Sequence, residues 1–396
     1  MQNFKLNETE ILSNQDWTFP TNTAYGPGRF KEIGDHCKKF GIRNPLIVTD
    51  NGSTKLPFIK ELKELLIKAN IKSDLFTDIS PNPREDEISI GCKKYKDGNH
   101  DSIIAIGGGS AMDGGKLICL TANNDVPLRD FEFELTPPKI SKDNPFPKII
   151  TIPTTAGTGA ETEITAMVTY VKEGMKFCMW HPDARPILAL VDPELTLGLP
   201  SSLTAWTGVD AMVHAIEGYC VPGFHPLCDG SALESLSLIS KSLYLAVEEP
   251  KNIVARGGMH IGSYLGGIAF LKGLGNVHSI SHMVGAEFNT QHGLTNAIIL
   301  PVVLKYNLYD MDEKVKRMSE AMQFKEHSVD SFINNIEKML DRLQIPKSLS
   351  EIGVTEDCVD RIAKKAMKDQ AYATNPKKAS YEDMKEMVMQ SIKKAR

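Results

Sequence analysis

Asp210 and His214 stand four positions apart in the run Gly208-Val209-Asp210-Ala211-Met212-Val213-His214. On a helix such a pair shares one face, so a carboxylate oxygen and an imidazole nitrogen can converge on one ion. Downstream, His278 and His282 repeat that spacing, and His292 follows fourteen positions after His278. Neutral imidazole and carboxylate together suit a divalent first-row metal such as Fe(II) or Zn(II). Any one of these histidines alone reads as an ordinary packing or surface residue. The combination of Asp-x3-His with His-x3-His-x9-His is what points to a metal.

A second chemistry is written in small-residue loops. Gly107-Gly108-Gly109-Ser110 follows the apolar run Ser102–Ile106 and precedes a helix expected from near Ala111. Glycine lets a backbone come close to a phosphate, and a helix N-terminus offers free N–H groups and a positive dipole end to an anion. Gly114-Gly115, one turn on, would let that helix lie tight against cofactor or sheet. Thr154-Thr155-Ala156-Gly157-Thr158-Gly159 is another such loop after an apolar run, with hydroxyls suited to pyrophosphate or ribose. Asp50 ends the run Leu46-Ile47-Val48-Thr49; an acid there can accept from ribose hydroxyls and repel a 2′-phosphate, favouring NAD over NADP. Taken singly, Asp50 also fits a turn before Asn-Gly, and the glycine run a plain strand–helix turn.

The elements that must carry these groups change character halfway along the chain. Strands are expected at 46–49, 74–76, 102–106, 149–153 and 187–191, alternating with helical periodicity at 55–69 and 85–96. That alternation implies a parallel sheet with helical crossovers. After Asp192 the strand signal fades, and helices are expected at 202–220, 229–248, 251–271, 295–308, 328–343, 358–368 and 381–395, with Ser201 or Ser202 as the first cap. The expected organisation is therefore an α/β nucleotide domain over 1–195 and an all-helical, metal-binding domain over 196–396, with the ligand cleft between them.

Bulk composition agrees. With 396 residues, 41% of them hydrophobic and 24% charged, the chain has ample core for two domains and no mark of disorder. A net charge of −5 without a basic cluster argues against a nucleic-acid partner. No apolar run is long enough to span a membrane, and Met1–Pro20 lacks the apolar centre of a signal peptide. Seven scattered cysteines with no CxxC pair fit a reducing, cytoplasmic setting.

With both halves in view, the chain resembles the iron-containing (group III) alcohol dehydrogenase family over roughly 20–390. The stretches that carry the likeness are GGGSAMDGGK (107–116), IPTTAGTGAE (152–161), LVDPELTLGLP (190–200), TGVDAMVHAIEGY (207–219) and GLGNVHSISHMVGAEFNTQHGLTNAIILP (273–301). The resemblance implies an N-terminal Rossmann-like dinucleotide-binding domain and an all-α C-terminal domain, a fold shared with dehydroquinate synthase. It implies metal ligands at Asp210, His214, His278 and His292, and a non-ligand His282 beside the nicotinamide as a proton-transfer candidate. By the same likeness, NAD(H) would contact Asp50, Asn82, Gly108, Gly109, Ser110, Asp113, Thr154, Thr155 and Lys176. The implied activity is oxidation of small primary alcohols or diols and reduction of their aldehydes, in a homodimer or higher homo-oligomer.

Two places depart from the commonest family pattern: 269–275 is one residue short, and His225-Pro226 replaces a more usual Asn-Pro. Both bear on substrate. A 4-hydroxybutyrate-type hydroxy acid is the alternative, with Lys272 as a partner for its carboxylate. Two other classes compete: a dehydroquinate synthase-like lyase with no net redox, and a non-catalytic metal-binding subunit. Accumulating NADH with a simple alcohol would exclude both.

Overall fold

The computed structural model describes residues 21–396; Met1–Pro20, the stretch judged to lack a signal peptide, lie outside the described residues. Eight strands and fourteen α-helices follow in chain order: β1 (Thr23–Tyr25), α1 (Ile33–Phe40), β2 (Pro45–Asp50), α2 (Pro57–Lys68), β3 (Asp74–Ile79), α3 (Glu85–Asp97), β4 (Ser102–Gly107), α4 (Gly109–Ala122), β5 (Lys148–Pro153), β6 (Ala166–Tyr170), β7 (Met175–Met179), β8 (Leu188–Val191), α5 (Ser201–Cys220), α6 (Pro226–Glu248), α7 (Ile253–Ala269), α8 (Asn276–Phe288), α9 (His292–Asn307), α10 (Asp312–Ala321), α11 (Val329–Arg342), α12 (Val359–Ala366), α13 (Gln370–Ala373) and α14 (Tyr381–Lys393).

Six strands form one wholly parallel sheet in the order β1-β8-β5-β4-β2-β3. The β-branched runs explain it: every residue from Ser102 to Gly107 is buried, as a parallel strand covered on both faces must be. Alternate residues serve opposite faces. Ile103 and Ala105 join Leu46, Val48 and the α3–α4 side, while Ile104 and Ile106 join Ile47, Ile150 and Ile152 under α1 and α2. Strand order reverses between β2 and β4, the place where open α/β sheets leave a crevice at their C-terminal ends. Asp50 ends β2 and Gly107 ends β4, on the two sides of that crevice.

From Ser201 onward the structure is helical and builds a separate, larger apolar core. Helix α5 runs through its centre, buried without a break from Thr207 to Cys220. Among the described residues no helix is long and apolar enough to cross a membrane.

Several expectations need correction. Helices α8 and α10 were not anticipated, nor were β1 and the antiparallel hairpin β6–β7. Helix α8 escapes periodicity because Asn276 through Gly285 is buried on all sides, so no polar face marks it. The first helix of the second half begins at Ser201, its cap position is Pro200, and no side chain caps it; Ser201 Oγ instead donates to Val247 O (3.0 Å). The helix after the glycine turn starts at Gly109 rather than near Ala111, which brings Ser110 into its first turn.

Candidate metal centre and nucleotide crevice

Helix α5 presents Asp210, His214 and Glu217 along one stripe, as spacings of four and three dictate. Helix α8 presents His278 and His282, and α9 opens with His292. Asp210, His214, His278 and His292 each offer one ligand atom, all within 4.8 Å of one another. Asp210 Oδ1 lies 4.0, 3.9 and 3.7 Å from Nε2 of His214, His278 and His292 respectively. The imidazoles of His214 and His278 are stacked at 4.6 Å between ring centroids.

The remaining nitrogens are fixed from outside. Glu217 Oε2 is 2.6 Å from His278 Nδ1, and Glu217 Oε1 accepts from Val277 N (2.8 Å). His214 Nδ1 lies 3.3 Å from Gly157 O, and Ser281 Oγ lies 3.4 Å from His292 Nδ1. Each partner leaves Nε2 facing the cluster, the arrangement that orients a metal-bound histidine. Asn296, one helical turn after His292, aims Nδ2 into the cluster, 2.7 Å from Asp210 Oδ1, 3.1 Å from His278 Nε2 and 3.2 Å from His292 Nε2.

The donor set fits a divalent cation. Burial pushes His214 down to about 4 and His292 well below the ordinary histidine range, so both can offer a neutral imidazole nitrogen at pH 7. Asp210 is 2% exposed, and a carboxylate in that position needs a counter-charge that neutral imidazoles do not supply. Asn296 Oδ1 is buried without a partner among the described residues.

The nucleotide loops meet at the crevice. Thr154 N donates to Gly107 O (2.8 Å), joining the loops after β4 and β5. Gly107 has φ +144°, and a Cβ there would stand 2.9 Å from Asp50 Oδ2. A Cβ on Gly109 would stand 2.5 Å from Thr158 Cγ2, and one on Gly108 3.6 Å from Thr155 Cγ2. Asp50 accepts from Ser53 N (2.9 Å) and Ser53 Oγ (2.8 Å), so it also shapes its own turn. Gly115 lies against Ala105 of β4, which accounts for the helix–sheet approach expected of that pair.

Lys176, on β7, and Asn82, after β3, both approach α8: a Cβ on Gly285 would lie 3.4 Å from Lys176 Nζ and 3.7 Å from Asn82 Oδ1. Asn82 Nδ2 donates to Asn289 Oδ1 (2.7 Å). Burial lowers Lys176 to about 8 against the pull of Asp113, Asp369 and Asp210. The nine nucleotide candidates thus gather around the strand ends and the α8 face, and the four metal candidates around α5, α8 and α9. Hydrogen bonding of Gly157 to His214 ties the two groups together.

Lys272 does not face a free carboxylate position. Its ammonium is 5% exposed and paired with Asp229, with Tyr219 O at 3.4 Å. It is therefore a buried, paired cation rather than a surface one.

Four residues of this region carried no expectation. Glu217 and Asn296 were visible in principle, three residues after His214 and four after His292. Asp369 lies 87 positions from His282, and spacing could not find it. Lys116 is buried and donates to Ala160 O and Thr165 O, with Asp113 at 3.8 Å and Glu163 at 3.9 Å.

Burial raises Asp113 to about 6 and Glu161 and Glu163 to about 7, with Lys116 opposing the shift in each. A carboxyl raised on folding holds its proton longer in the native state. Its contribution to stability is therefore full below its unfolded pKa near 4.5 and is lost as pH rises through about 7. Glu163→Gln removes that loss. The ligand-free variant should melt roughly 1–3 °C above the parent at pH 8 and no higher than it at pH 5. Equal gains at both pH values in calorimetry would contradict the burial argument.

Two family descriptions match the chain: "Iron-containing alcohol dehydrogenase" over residues 20–193 and "Fe-containing alcohol dehydrogenase family, C-terminal" over 204–392. The NAD-dependent methanol dehydrogenase of Bacillus methanolicus is 32% identical over 94% of this chain and 98% of its own. The 4-hydroxybutyrate dehydrogenase of Cupriavidus necator is 34% identical over 92% and 96%. Among solved structures, a 1,3-propanediol oxidoreductase superposes with a TM-score of 0.89 at 30% identity, covering 95% of this chain and 99% of that one.

Proposed function

The chain belongs to the iron-containing alcohol dehydrogenase family and is an oxidoreductase of alcohol CH–OH groups, and from that premise we propose that it interconverts small primary alcohols or diols and their aldehydes with NAD(H). The observation that carries the reading is the bond between the two sites: Gly157, in the loop after β5, meets Nδ1 of His214. A nucleotide lying along Gly108, Gly109, Ser110, Thr154 and Thr155 then ends beside the cluster of Asp210, His214, His278 and His292.

We assign those four residues as the ligands of Fe(II) or Zn(II). Bound there, the cation supplies Lewis-acid polarisation of the alcohol oxygen, and NAD supplies the hydride acceptor. The protein's own part is positional. Glu217 and the Gly157 carbonyl hold His278 and His214; Asp50 is placed for the adenosine ribose, Lys176 and Asn82 for the nicotinamide end, and Asp113 for the wall between. His282 stands beside the cluster, its ring stacked on His292 at 5.4 Å and 15°. Its Nε2 makes no hydrogen bond among the described residues and is the position from which the hydroxyl proton is received.

Lys272 is already paired with Asp229, so a hydroxy-acid carboxylate would have to compete for it, which favours uncharged substrates. We further take the chain as two domains, 1–195 and 196–396, and as a cytoplasmic homodimer or higher homo-oligomer. The free cysteines, none paired with another among the described residues, accord with a reducing compartment.

The test is a panel of primary alcohols, diols and 4-hydroxybutyrate, assayed for NADH formation after loading with Fe(II) or Zn(II). Sustained NADH formation with uncharged alcohols is expected. No accumulation of NADH with any of them would leave the redox-neutral alternative standing.

A further inference from the structure

We propose that Asp369 is a positioning residue for the reaction: it fixes His282 in the tautomer that bears hydrogen on Nδ1, so that Nε2 presents a lone pair to the substrate hydroxyl. This rests on the placement of His282 beside the metal ligands given above.

Asp369 Oδ2 is 2.9 Å from His282 Nδ1, and both side chains are buried, at 2% and 5% exposure. A carboxylate accepts and does not donate, so the nitrogen it meets is the protonated one. Asp369 is itself held. Its Oδ1 accepts from Ala371 N (2.8 Å) as the N-cap of α13.

The segment that follows is bound to the start of α8, the helix that bears His282. Thr374 Oγ1 accepts from Leu274 N (3.2 Å), and Asn375 Oδ1 accepts from Asn276 N (3.0 Å). Asn375 and Asn307 exchange two amide hydrogen bonds, both 2.9 Å, which fastens the same strap to the end of α9. The carboxylate and the imidazole therefore ride on one rigid unit, although 87 residues separate them.

Asp369 also lines a cavity of about 20 Å³ together with Lys176, Gln370, Glu132 and Cys178.

Asp369→Asn tests the assignment in the metal-loaded enzyme. The amide oxygen can still cap α13, while its N–H2 faces Nδ1 and forces hydrogen onto Nε2. We expect kcat to fall by about 100-fold or more, the usual worth of a positioned acid–base group. Metal content should stay within about twofold, because the variant leaves the four proposed ligands and their hydrogen-bond partners in place. Independently of activity, nitrogen-15 NMR of histidine-labelled protein should show hydrogen on Nδ1 of His282 in the parent and on Nε2 in the variant, the signal being assigned by its loss in His282→Gln.

An Nε2-protonated His282 in the parent would overturn the proposal, and this measurement needs no variant to fold beyond the assignment. Unchanged kcat in Asp369→Asn would overturn it too, as would a fall in kcat matched by loss of metal. If the parent forms no NADH with any alcohol, the functional reading fails instead, and the tautomer measurement still decides the role of Asp369.

Discussion

Asp210→Ala is expected to lose the metal and the alcohol-dependent formation of NADH together. Asp210 is the only carboxylate among the four proposed ligands, and it sits at the centre of the cluster, within 4.0 Å of three imidazole nitrogens. Two of those imidazoles are held neutral by burial, so the carboxylate supplies the negative charge that draws a cation in. Its removal also strips Asn296 Nδ2 of its shortest partner. A Lewis-acid contribution of several kcal/mol corresponds to a loss of at least about 1,000-fold in kcat. His278→Ala should do the same through a different ligand, and it leaves Glu217 buried without its imidazole. Metal content after gel filtration, read by atomic absorption, is the direct measure. NADH affinity should change by no more than about threefold, since the nucleotide loops keep their own contacts. Full metal content in both variants would remove these residues from the site.

Gly109→Val should produce the opposite pattern. Gly109 is the first residue of α4, and the place of its absent Cβ is already occupied to within 2.5 Å by Thr158 Cγ2. A branched side chain there forces apart the loops after β4 and β5 and covers the helix N-terminus that an anion would approach. Affinity for NADH, followed by fluorescence titration, should fall by about 100-fold, equivalent to roughly 2.7 kcal/mol. Metal content should fall far less than in Asp210→Ala, because of the four proposed ligands it is His214 that is bonded to the displaced loop, through Gly157 O (3.3 Å). An unchanged NADH affinity would exclude this crevice as the dinucleotide site. The two variants together separate loss of cation from loss of nucleotide, which no activity assay alone can do.

These expectations differ in how far the chain announces them. The parallel sheet, apart from its edge strand β1, was legible because its inner strands are short, apolar and buried on both faces, and the helices between them keep an apolar stripe. Gly107–Ser110 and Thr154–Gly159 could be recognised as loops at strand ends, since the glycines and hydroxyls interrupt those runs. Asp210 with His214 was legible for the same local reason, since a helix turns a spacing of four into a shared face, whereas His278 with His282 offered the spacing without the helix being anticipated. Hairpin β6–β7, which carries Lys176, was not, because its residues have no clean alternation and pack between sheet and helices. Helix α8 was hidden by the burial of Asn276 through Gly285, and the cap before α5 misled because a serine beside proline can lie just inside the helix as well as just before it.

What the amino-acid order determined by itself is therefore local: which residues share a helix face, which small-residue loops end the strands, and where the chain passes from α/β to all-helical. What the tertiary structure alone decided is which distant groups meet. It brings Glu217 to His278, Gly157 to His214 and Asp369 to His282, and it pairs Lys272 with Asp229. The physical reason is range. Backbone geometry fixes contacts within one or two helical turns, whereas the second partner of each imidazole comes from an element positioned by core packing, whose pairing leaves no periodic trace along the chain.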